Sequence, residues 1–181
     1  MAEDLFVPLG MIDTALSVPE EKLDRLPAAC RHGEDGLVET EPAGGGFYAG
    51  PPPFDVSHGE LVSTVADFHR FTRLLVGGGR AGGRTLLSTG HLEQLTSDQV
   101  PAENKTADSF FPGFWTGMGW GFGVGVQTEG PRRGRYGWSG GQGTDFFVDR
   151  DGTVGILFTQ VELGPRTWPL LGDLQALHQP A

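Results

Sequence analysis

The stretch from Tyr136 to Asp149, which reads YGWSGGQGTDFFVD, constrains the fold of this chain more than any other. Aromatic and apolar residues at its two ends predict two strands, and the glycines between them predict a connection where another group can come close to the backbone. Asp151-Gly152 follows as a tight-turn pair, and Thr153 to Val161 is rich in Val, Ile, Leu and Phe, which predicts a third strand. The chain should therefore contain an antiparallel meander with a point of close approach at the end of its first strand.

The rest of the chain is predicted to join this meander in a single domain with two parts. Residues 1–118 should be mostly helix and loop, and residues 119–181 should supply antiparallel strands and a closing helix. Apolar residues at helical spacing predict helices over residues 61–76, 88–96 and 166–178, the first two with Ser63 and Ser88 as N-caps. The segment Gly119 to Thr128 alternates glycine with bulky residues, which predicts one strand.

The charge balance limits the partners that the chain can bind. Asp and Glu number 23 against 13 Lys and Arg, a net charge of -10, which disfavours nucleic acid and anionic membranes. No run of about 18 apolar residues is present, so no membrane span is predicted. The residues from Met1 to Asp4 lack the basic region of a signal peptide, so the localisation stays open, with the cytoplasm as the default.

No metal or cofactor is predicted. The histidines stand apart, without paired ligand spacing, at His32, His58, His69, His91 and His178. The segment 149–152 resembles the start of a calcium loop but lacks the later Glu, so a hairpin turn is the better interpretation. The alternating glycines at 119, 121, 123 and 125 do not match the spacing of a dinucleotide-binding loop.

Five segments, taken in order, resemble landmarks of the serine β-lactamase-like superfamily on its class C side. Phe6 to Thr14 reads FVPLGMIDT and is similar to the family's F-x-P-L-G-M-x-D-T segment. Gly59 to Phe71 is similar to its G-G-L-x-S-T-x-x-D-x-x-x-F helix. Its later landmarks are matched, in the same order, by residues 84–88, 119–124 and 138–149. Because the order agrees across nearly the whole chain, the resemblance is more specific than any one motif.

The resemblance implies an α+β fold, a partial β-lactamase/transpeptidase-like architecture in which helices flank an antiparallel sheet. It also implies acyl transfer: a Ser in S-x-x-K attacks a carbonyl, Lys and a Tyr in Y-x-N move protons, and backbone N–H groups hold the oxyanion. Trp138-Ser139-Gly140 aligns with the motif that lines the site from a strand, which is K-T-G in β-lactamases and W-x-G in esterase-like members. By this alignment Trp138, Ser139, Gly140 and Gly141 contact the substrate, and the Gly141 N–H is an oxyanion donor.

The sequence departs from the family by containing neither S-x-x-K nor Y-x-N. In the family both motifs precede the P-L-G-M segment, so we expect this chain to correspond to the C-terminal portion, without the N-terminal strands, the nucleophile helix, or the catalytic Ser, Lys and Tyr. The expected partners are a small acyl substrate of the full-length protein and, because a sheet edge would be uncovered, a second copy or a complementing N-terminal segment. Two alternatives stay open: a non-catalytic binding domain with Trp138, Trp115 and Phe114 as its ligand platform, and one half of a split enzyme.

Overall fold

A computed structural model describes residues 1–54 and 60–177 of the chain. The strands are β1 Ala29–His32, β2 Leu37–Glu41, β3 Arg80–Ala81, β4 Arg84–Thr85, β5 Met118–Trp120, β6 Gly125–Gln127, β7 Tyr136–Gly140, β8 Thr144–Val148 and β9 Val154–Phe158. The α-helices are α1 Val7–Leu9, α2 Val65–Val76, α3 Thr89–Thr96 and α4 Trp168–Ala176; a π-helical segment, Ala2–Phe6, leads into α1, and 3-10 turns lie at Glu20–Arg25, Phe47–Ala49 and Ala102–Asn104. The α+β class is confirmed.

The main sheet has five antiparallel strands in the order β5-β6-β7-β8-β9, so each strand pairs with the next along the chain. The predicted meander is therefore confirmed over its three strands, β7 to β9. Two short hairpins, β1-β2 and β3-β4, lie in the first part of the chain. None of the described helices is long and apolar enough to cross a membrane.

Helix α4 covers one face of the sheet, and a buried ion pair fastens it there. The Arg135 guanidinium donates two hydrogen bonds of 2.7 Å to the Asp149 carboxylate and lies 4.0 Å from the centre of the Phe147 ring. It also donates to the main-chain carbonyl of Gln175 in α4, at 2.8 Å. Arg135 and Asp149 are each 3% exposed. Burying two charges costs hydration free energy, which their attraction offsets only when the polar atoms also make hydrogen bonds, as they do here.

Helix α2 packs against the opposite face. The Phe68 ring lies 5.0 Å from the Phe146 ring in an edge-on arrangement and 5.8 Å from the Phe158 ring, which joins α2 to β8 and β9. The N-cap of this helix lies one residue later than predicted: Thr64 is the N-cap and accepts from the Asp67 N–H, so the prediction of Ser63 as the cap was wrong. The Ser63 hydroxyl is instead 2.8 Å from that of Thr14.

Other predicted boundaries also shift. Ser88 caps α3 as predicted, accepting from the His91 N–H. The closing helix begins at Trp168, and its predicted end at His178 lies outside the described residues, as do His58 and Gly59. The single strand predicted over residues 119–128 is wrong, because β5 and β6 form a hairpin there; the turn between them passes through Gly123, whose φ of +89° favours glycine.

Candidate functional site

The end of β7 forms part of the wall of a large cavity. Trp138 and Gly140 line this cavity, which has a volume of about 660 Å³. Side chains alternate between the two faces of a strand, so Ser139 points away from Trp138, and its hydroxyl donates to the Asp145 carboxylate at 2.9 Å. The structure thus places two of the predicted site residues at the cavity and turns the Ser139 side chain toward the α4 side of the sheet; the contact of Ser139 with a substrate stays a prediction.

The turn after β7 presents a free backbone donor. Gly141 is exposed, and its N–H donates no hydrogen bond within the described part of the chain, whereas its carbonyl accepts from the Leu163 N–H at 2.8 Å. Gly143 closes the turn through its N–H, which donates to the Gly140 carbonyl at 3.0 Å. An unpaired N–H at the end of a held strand is the kind of donor that can stabilise an oxyanion, so the geometry is compatible with the predicted role of Gly141.

The cavity lies between the sheet and the N-terminal part of the chain. Its remaining lining is mostly apolar and includes Leu5, Phe6, Met11, Leu61, Val62, Phe68, Phe71, Phe122, Phe146 and Phe158. No Lys, Arg or His side chain is among the described residues that line it, but Met1, whose amino group pairs with Asp4, is. The polar residues of the lining are Thr14, Glu41, Tyr48, Ser63, Gln142, Thr144, Asp145 and Gln160. A mostly apolar concave site with few polar groups is typical of small-molecule binding.

A buried carboxylate joins the two N-terminal motifs beside this cavity. Asp67 in α2 is 1% exposed, and its Oδ2 accepts from the Asp13 N–H at 2.7 Å and from the Thr14 hydroxyl at 3.1 Å. Arg70 donates to its Oδ1 at 2.5 Å. These contacts place the Thr14 and Ser63 hydroxyls within hydrogen-bond distance. The sequence did not predict this contact, although both residues lie in the family motifs.

An aromatic cluster surrounds the Trp138 side chain. Trp120 meets it edge-on with ring centres 4.5 Å apart, and Phe110 and Phe114 each lie 6.3 Å from it. Phe111 packs against Phe110 with ring centres 4.9 Å apart. The sequence shows these aromatics in a loop, but their convergence on β7 depends on contacts between distant segments.

The described acid–base groups near the site are not arranged as a nucleophile and its base. Tyr48 lines the cavity, and its hydroxyl donates a hydrogen bond to the Glu60 carboxylate. Burial and this hydrogen bond raise the pKa of Tyr48 to about 12, so the phenol stays protonated at neutral pH. Burial raises the pKa of Tyr136 to about 12. The Ser63 hydroxyl has Thr14 as its side-chain partner rather than a base.

Asp145 is also among the residues that line the cavity, and its carboxylate connects the end of β7 to α4. It is 2% exposed and accepts from Ser139 and from the Gln175 side-chain amide, at 2.9 and 2.8 Å. Burial raises the pKa of its carboxyl, and the two hydrogen bonds oppose that shift by favouring the ionised form. No group of three or more His, Cys, Asp or Glu among the described residues could hold a metal ion.

Comparison with known families now adds to this geometry. The family model described as Beta-lactamase matches residues 1–177. This chain belongs to the beta-lactamase family. The match includes both N-terminal motifs, α2 and the whole five-stranded sheet, so the family resemblance read from the sequence is confirmed.

Relatives of this beta-lactamase-family chain are longer than it is. Uncharacterized protein MT1414 of Mycobacterium tuberculosis strain CDC 1551 and Protein Rv1367c of strain H37Rv are each 28% identical to it over 165 residues, 86% of this chain and 41% of the relative. The chain thus spans about two-fifths of the curated relatives that it matches.

Solved structures show that the fold is β-lactamase/transpeptidase-like. Simvastatin synthase (LovD) from Aspergillus terreus, in its LovD9 mutant, superposes with a TM-score of 0.64 at 19% identity, covering 96% of this chain and 46% of that one. A penicillin-binding protein homolog from Caulobacter crescentus gives 0.58 at 20% identity, covering 96% and 50%. The predicted architecture is confirmed, while the roles of Trp138, Ser139, Gly140 and Gly141 stay predictions.

Proposed function

We propose that this chain is the C-terminal portion of a serine hydrolase that cleaves an ester, amide or lactam through an acyl-enzyme, with Trp138 to Gly141 as one wall of the active site. The observation that carries the proposal is the Gly141 N–H after β7, which has no partner in the described part of the chain and lies beside a cavity lined by Trp138 and Gly140. A carbonyl placed at this end of the cavity could direct its oxygen toward that N–H, where negative charge develops during acyl transfer.

The remaining catalytic groups would come from residues that precede this chain in the native protein. The sequence contains no S-x-x-K and no Y-x-N, and the chain covers 46% and 50% of the two solved structures. Both observations support a native protein in which a preceding segment supplies the Ser nucleophile and the Lys and Tyr that move protons. Without that segment the N–H donor alone would give little catalysis.

Edge strand β9 supports a second element of the proposal, that the sheet pairs with a further segment. Among the described residues, the ladder of β9 runs along β8 alone, so its other edge carries unpaired N–H and C=O groups. Such an edge recruits a strand from another segment or another chain. A complementing N-terminal segment, or in its absence a second copy of the chain, would fill this place.

A serine-reactive fluorophosphonate tests the catalytic proposal, because its reaction also develops negative charge on an oxygen that an N–H donor must hold. We expect rapid labelling of the native protein on a serine outside these 181 residues. Replacing Gly141 with proline removes the N–H and should slow labelling by a factor on the order of 100. Gly141→Ala keeps the N–H, and its added methyl would meet nothing within 4 Å, so it is the matched control.

Two results would contradict the proposal. Labelling of the 181-residue chain by itself, removed by Ser63→Ala, would mean that a serine of this chain is the nucleophile. Equal labelling rates for Gly141→Pro and Gly141→Ala in the native protein would mean that the Gly141 N–H holds no oxyanion. The mass of the labelled native protein, compared with 19.3 kDa, reports at the same time whether a preceding segment exists.

A further inference from the structure

The turn that follows β7 is held from one side by residues 159–163, here called the support segment. The Gly143 carbonyl accepts two hydrogen bonds from Thr159, one from the hydroxyl at 2.8 Å and one from the N–H at 3.2 Å. Further along the segment, the Leu163 N–H donates to the Gly141 carbonyl at 2.8 Å. Three of the four turn residues are glycines, which leave the backbone many conformations, so these outside contacts are needed to hold the turn in one of them.

The support segment is itself fixed in one conformation. Gln160 has a φ of +56°, an uncommon angle for a residue other than glycine, and such angles persist where the surrounding structure enforces them. The enforcing contacts lie on both sides of it: its carbonyl accepts from the Cys30 N–H of β1 at 2.9 Å, and the Thr159 hydroxyl accepts from the Val161 N–H at 3.1 Å. The Cys30 carbonyl in turn accepts from the Glu162 N–H at 2.7 Å. The segment is therefore anchored to β1 and provides a rigid support for the turn.

A hydrogen bond inside the turn sets the direction of the Gly141 N–H. The Gly140 carbonyl and the Gly141 N–H belong to one planar trans peptide, in which the two groups point in opposite directions. The Gly143 N–H donates to that carbonyl at 3.0 Å, which directs the carbonyl into the turn and the Gly141 N–H out of it. The direction of the proposed oxyanion donor therefore depends on the position of Gly143, whose own carbonyl is held by the Thr159 hydroxyl.

We propose that Thr159 is a positioning residue for the oxyanion donor: its hydroxyl holds Gly143, and through Gly143 it directs the Gly141 N–H toward the reacting carbonyl of the substrate. The role in acyl transfer rests on the proposed function. The direction of the N–H does not, because it follows from the hydrogen bonds of the turn. Thr159 is not among the described residues that line the cavity, so it acts through the turn rather than by contact with the substrate.

Fluorophosphonate labelling of the native protein measures the effect on the reaction. Thr159→Val keeps the branched shape but removes the hydroxyl, and we expect labelling to slow by about tenfold because a misdirected donor stabilises the developing charge less well. Thr159→Ser keeps the hydroxyl and should label at nearly the rate of the unchanged protein. Thr96→Val is the matched control, since it removes a hydroxyl of similar burial that donates to the Leu92 carbonyl in α3 at 2.9 Å, and it should leave the rate unchanged.

The order parameter of the Gly141 N–H, measured by NMR relaxation in the native protein, reports the positioning without any reaction. We expect a rigid N–H, with an order parameter of about 0.85, in the unchanged protein and in Thr159→Ser, and a value below about 0.6 in Thr159→Val. Thr159→Ala removes the hydroxyl without placing a methyl group against the Gly143 carbonyl. It therefore keeps the test if circular dichroism shows that Thr159→Val has lost its fold.

An unchanged order parameter at Gly141 in both hydroxyl-free variants would overturn the inference. So would labelling of those variants at the rate of the unchanged protein while Gly141→Pro is slow, or equal slowing in Thr159→Ser and Thr159→Val. Equal labelling of Gly141→Pro and Gly141→Ala is a different result: it removes the proposed function, and the order parameter then decides alone whether Thr159 positions the N–H.

Discussion

At the scale of single residues, two glycines in the turn after β7 have opposite surroundings. A Cβ on Gly143 would lie 2.1 Å from the Val161 carbonyl oxygen and 2.2 Å from the Thr159 hydroxyl, and the φ of Gly143 is +72°. A Cβ on Gly141 would meet no atom of residues 1–54 or 60–177 within 4 Å. The turn therefore requires glycine at position 143, because a side chain there would clash. Position 141 has room for a side chain or for a ligand.

Replacing Gly143 with alanine should lower the free energy of unfolding by about 2 kcal/mol or more, because the methyl group clashes with backbone and the left-handed angle disfavours a side chain. Gly141→Ala should change it by less than about 0.5 kcal/mol. Urea unfolding of the two variants and the unchanged chain, followed by circular dichroism, measures both. Similar stabilities for the two variants would mean that the turn is not packed as described.

How much of the site could be foreseen also differs by residue. The position of Trp138, Gly140 and Gly141 at the end of a strand follows from local pattern, and the structure agrees. The direction of the Ser139 hydroxyl depends on Asp145 across the hairpin and on Gln175 in α4, which sequence pattern cannot bring together. Of the aromatic neighbours of Trp138, the sequence grouped Phe114 with it only in the binding-domain alternative, and it missed Phe110, which approaches from a loop without periodic structure.

At the scale of elements, Asp67 attaches the N-terminal segment to α2. It accepts from the Asp13 N–H and the Thr14 hydroxyl across more than 50 residues of chain, and from Arg70 in its own helix. Because the carboxylate is 1% exposed, removing it would leave two of these donors without a partner in a buried place.

Asp67→Ala should therefore destabilise the chain by roughly 3 kcal/mol and release the segment that carries Asp13 and Thr14. Asp173→Ala, which removes an exposed carboxylate from α4, is the matched control and should cost less than about 0.5 kcal/mol. Thermal unfolding gives the stabilities, and hydrogen exchange at the Asp13 amide reports release directly. Unchanged exchange at that amide in Asp67→Ala would show that the segment is held by other contacts.

Element boundaries were foreseeable where the pattern is local and less so elsewhere. Strands β7, β8 and β9 follow from apolar runs separated by turn residues. The hairpin of β5 and β6 was missed because the glycines of this segment were interpreted as one face of a single strand. Gly121 is instead required by its contact with α3, since a Cβ there would lie 1.9 Å from the Leu95 carbonyl oxygen. The cap of α2 was missed because Ser63 and Thr64 are equally good candidates by type, and only the partner of Ser63, Thr14, decides between them.

At the scale of the whole molecule, an edge strand and a large cavity are both left open in the described part of the chain. Strand β9 pairs with β8 alone, and the cavity of about 660 Å³ lies between α2 and the sheet. Apolar side chains lining an open cavity and unpaired strand edges both favour association.

The isolated 181-residue chain should therefore self-associate as its concentration rises. Sedimentation velocity over a range of concentrations would detect dimers or larger species, and addition of the complementing segment should convert them to one discrete complex. A compact monomer at all concentrations, with a cooperative melt, would contradict both the open edge and the proposal of a complementing partner.

The strand order β5-β6-β7-β8-β9 also bears on how the chain reaches its fold. Each strand pairs with the strand next to it in the sequence. The loops that must close are therefore short, so closing them costs little entropy and the strands can pair one after another. Contacts of the N-terminal segment are far less local: Asp13 meets Asp67 at a separation of 54 residues, and Arg166 meets Gly33 at 133. During translation, the contact of Gly33 with Arg166 can therefore form only after all five strands of the sheet have been made, whereas the partner of Asp13 precedes the first of them.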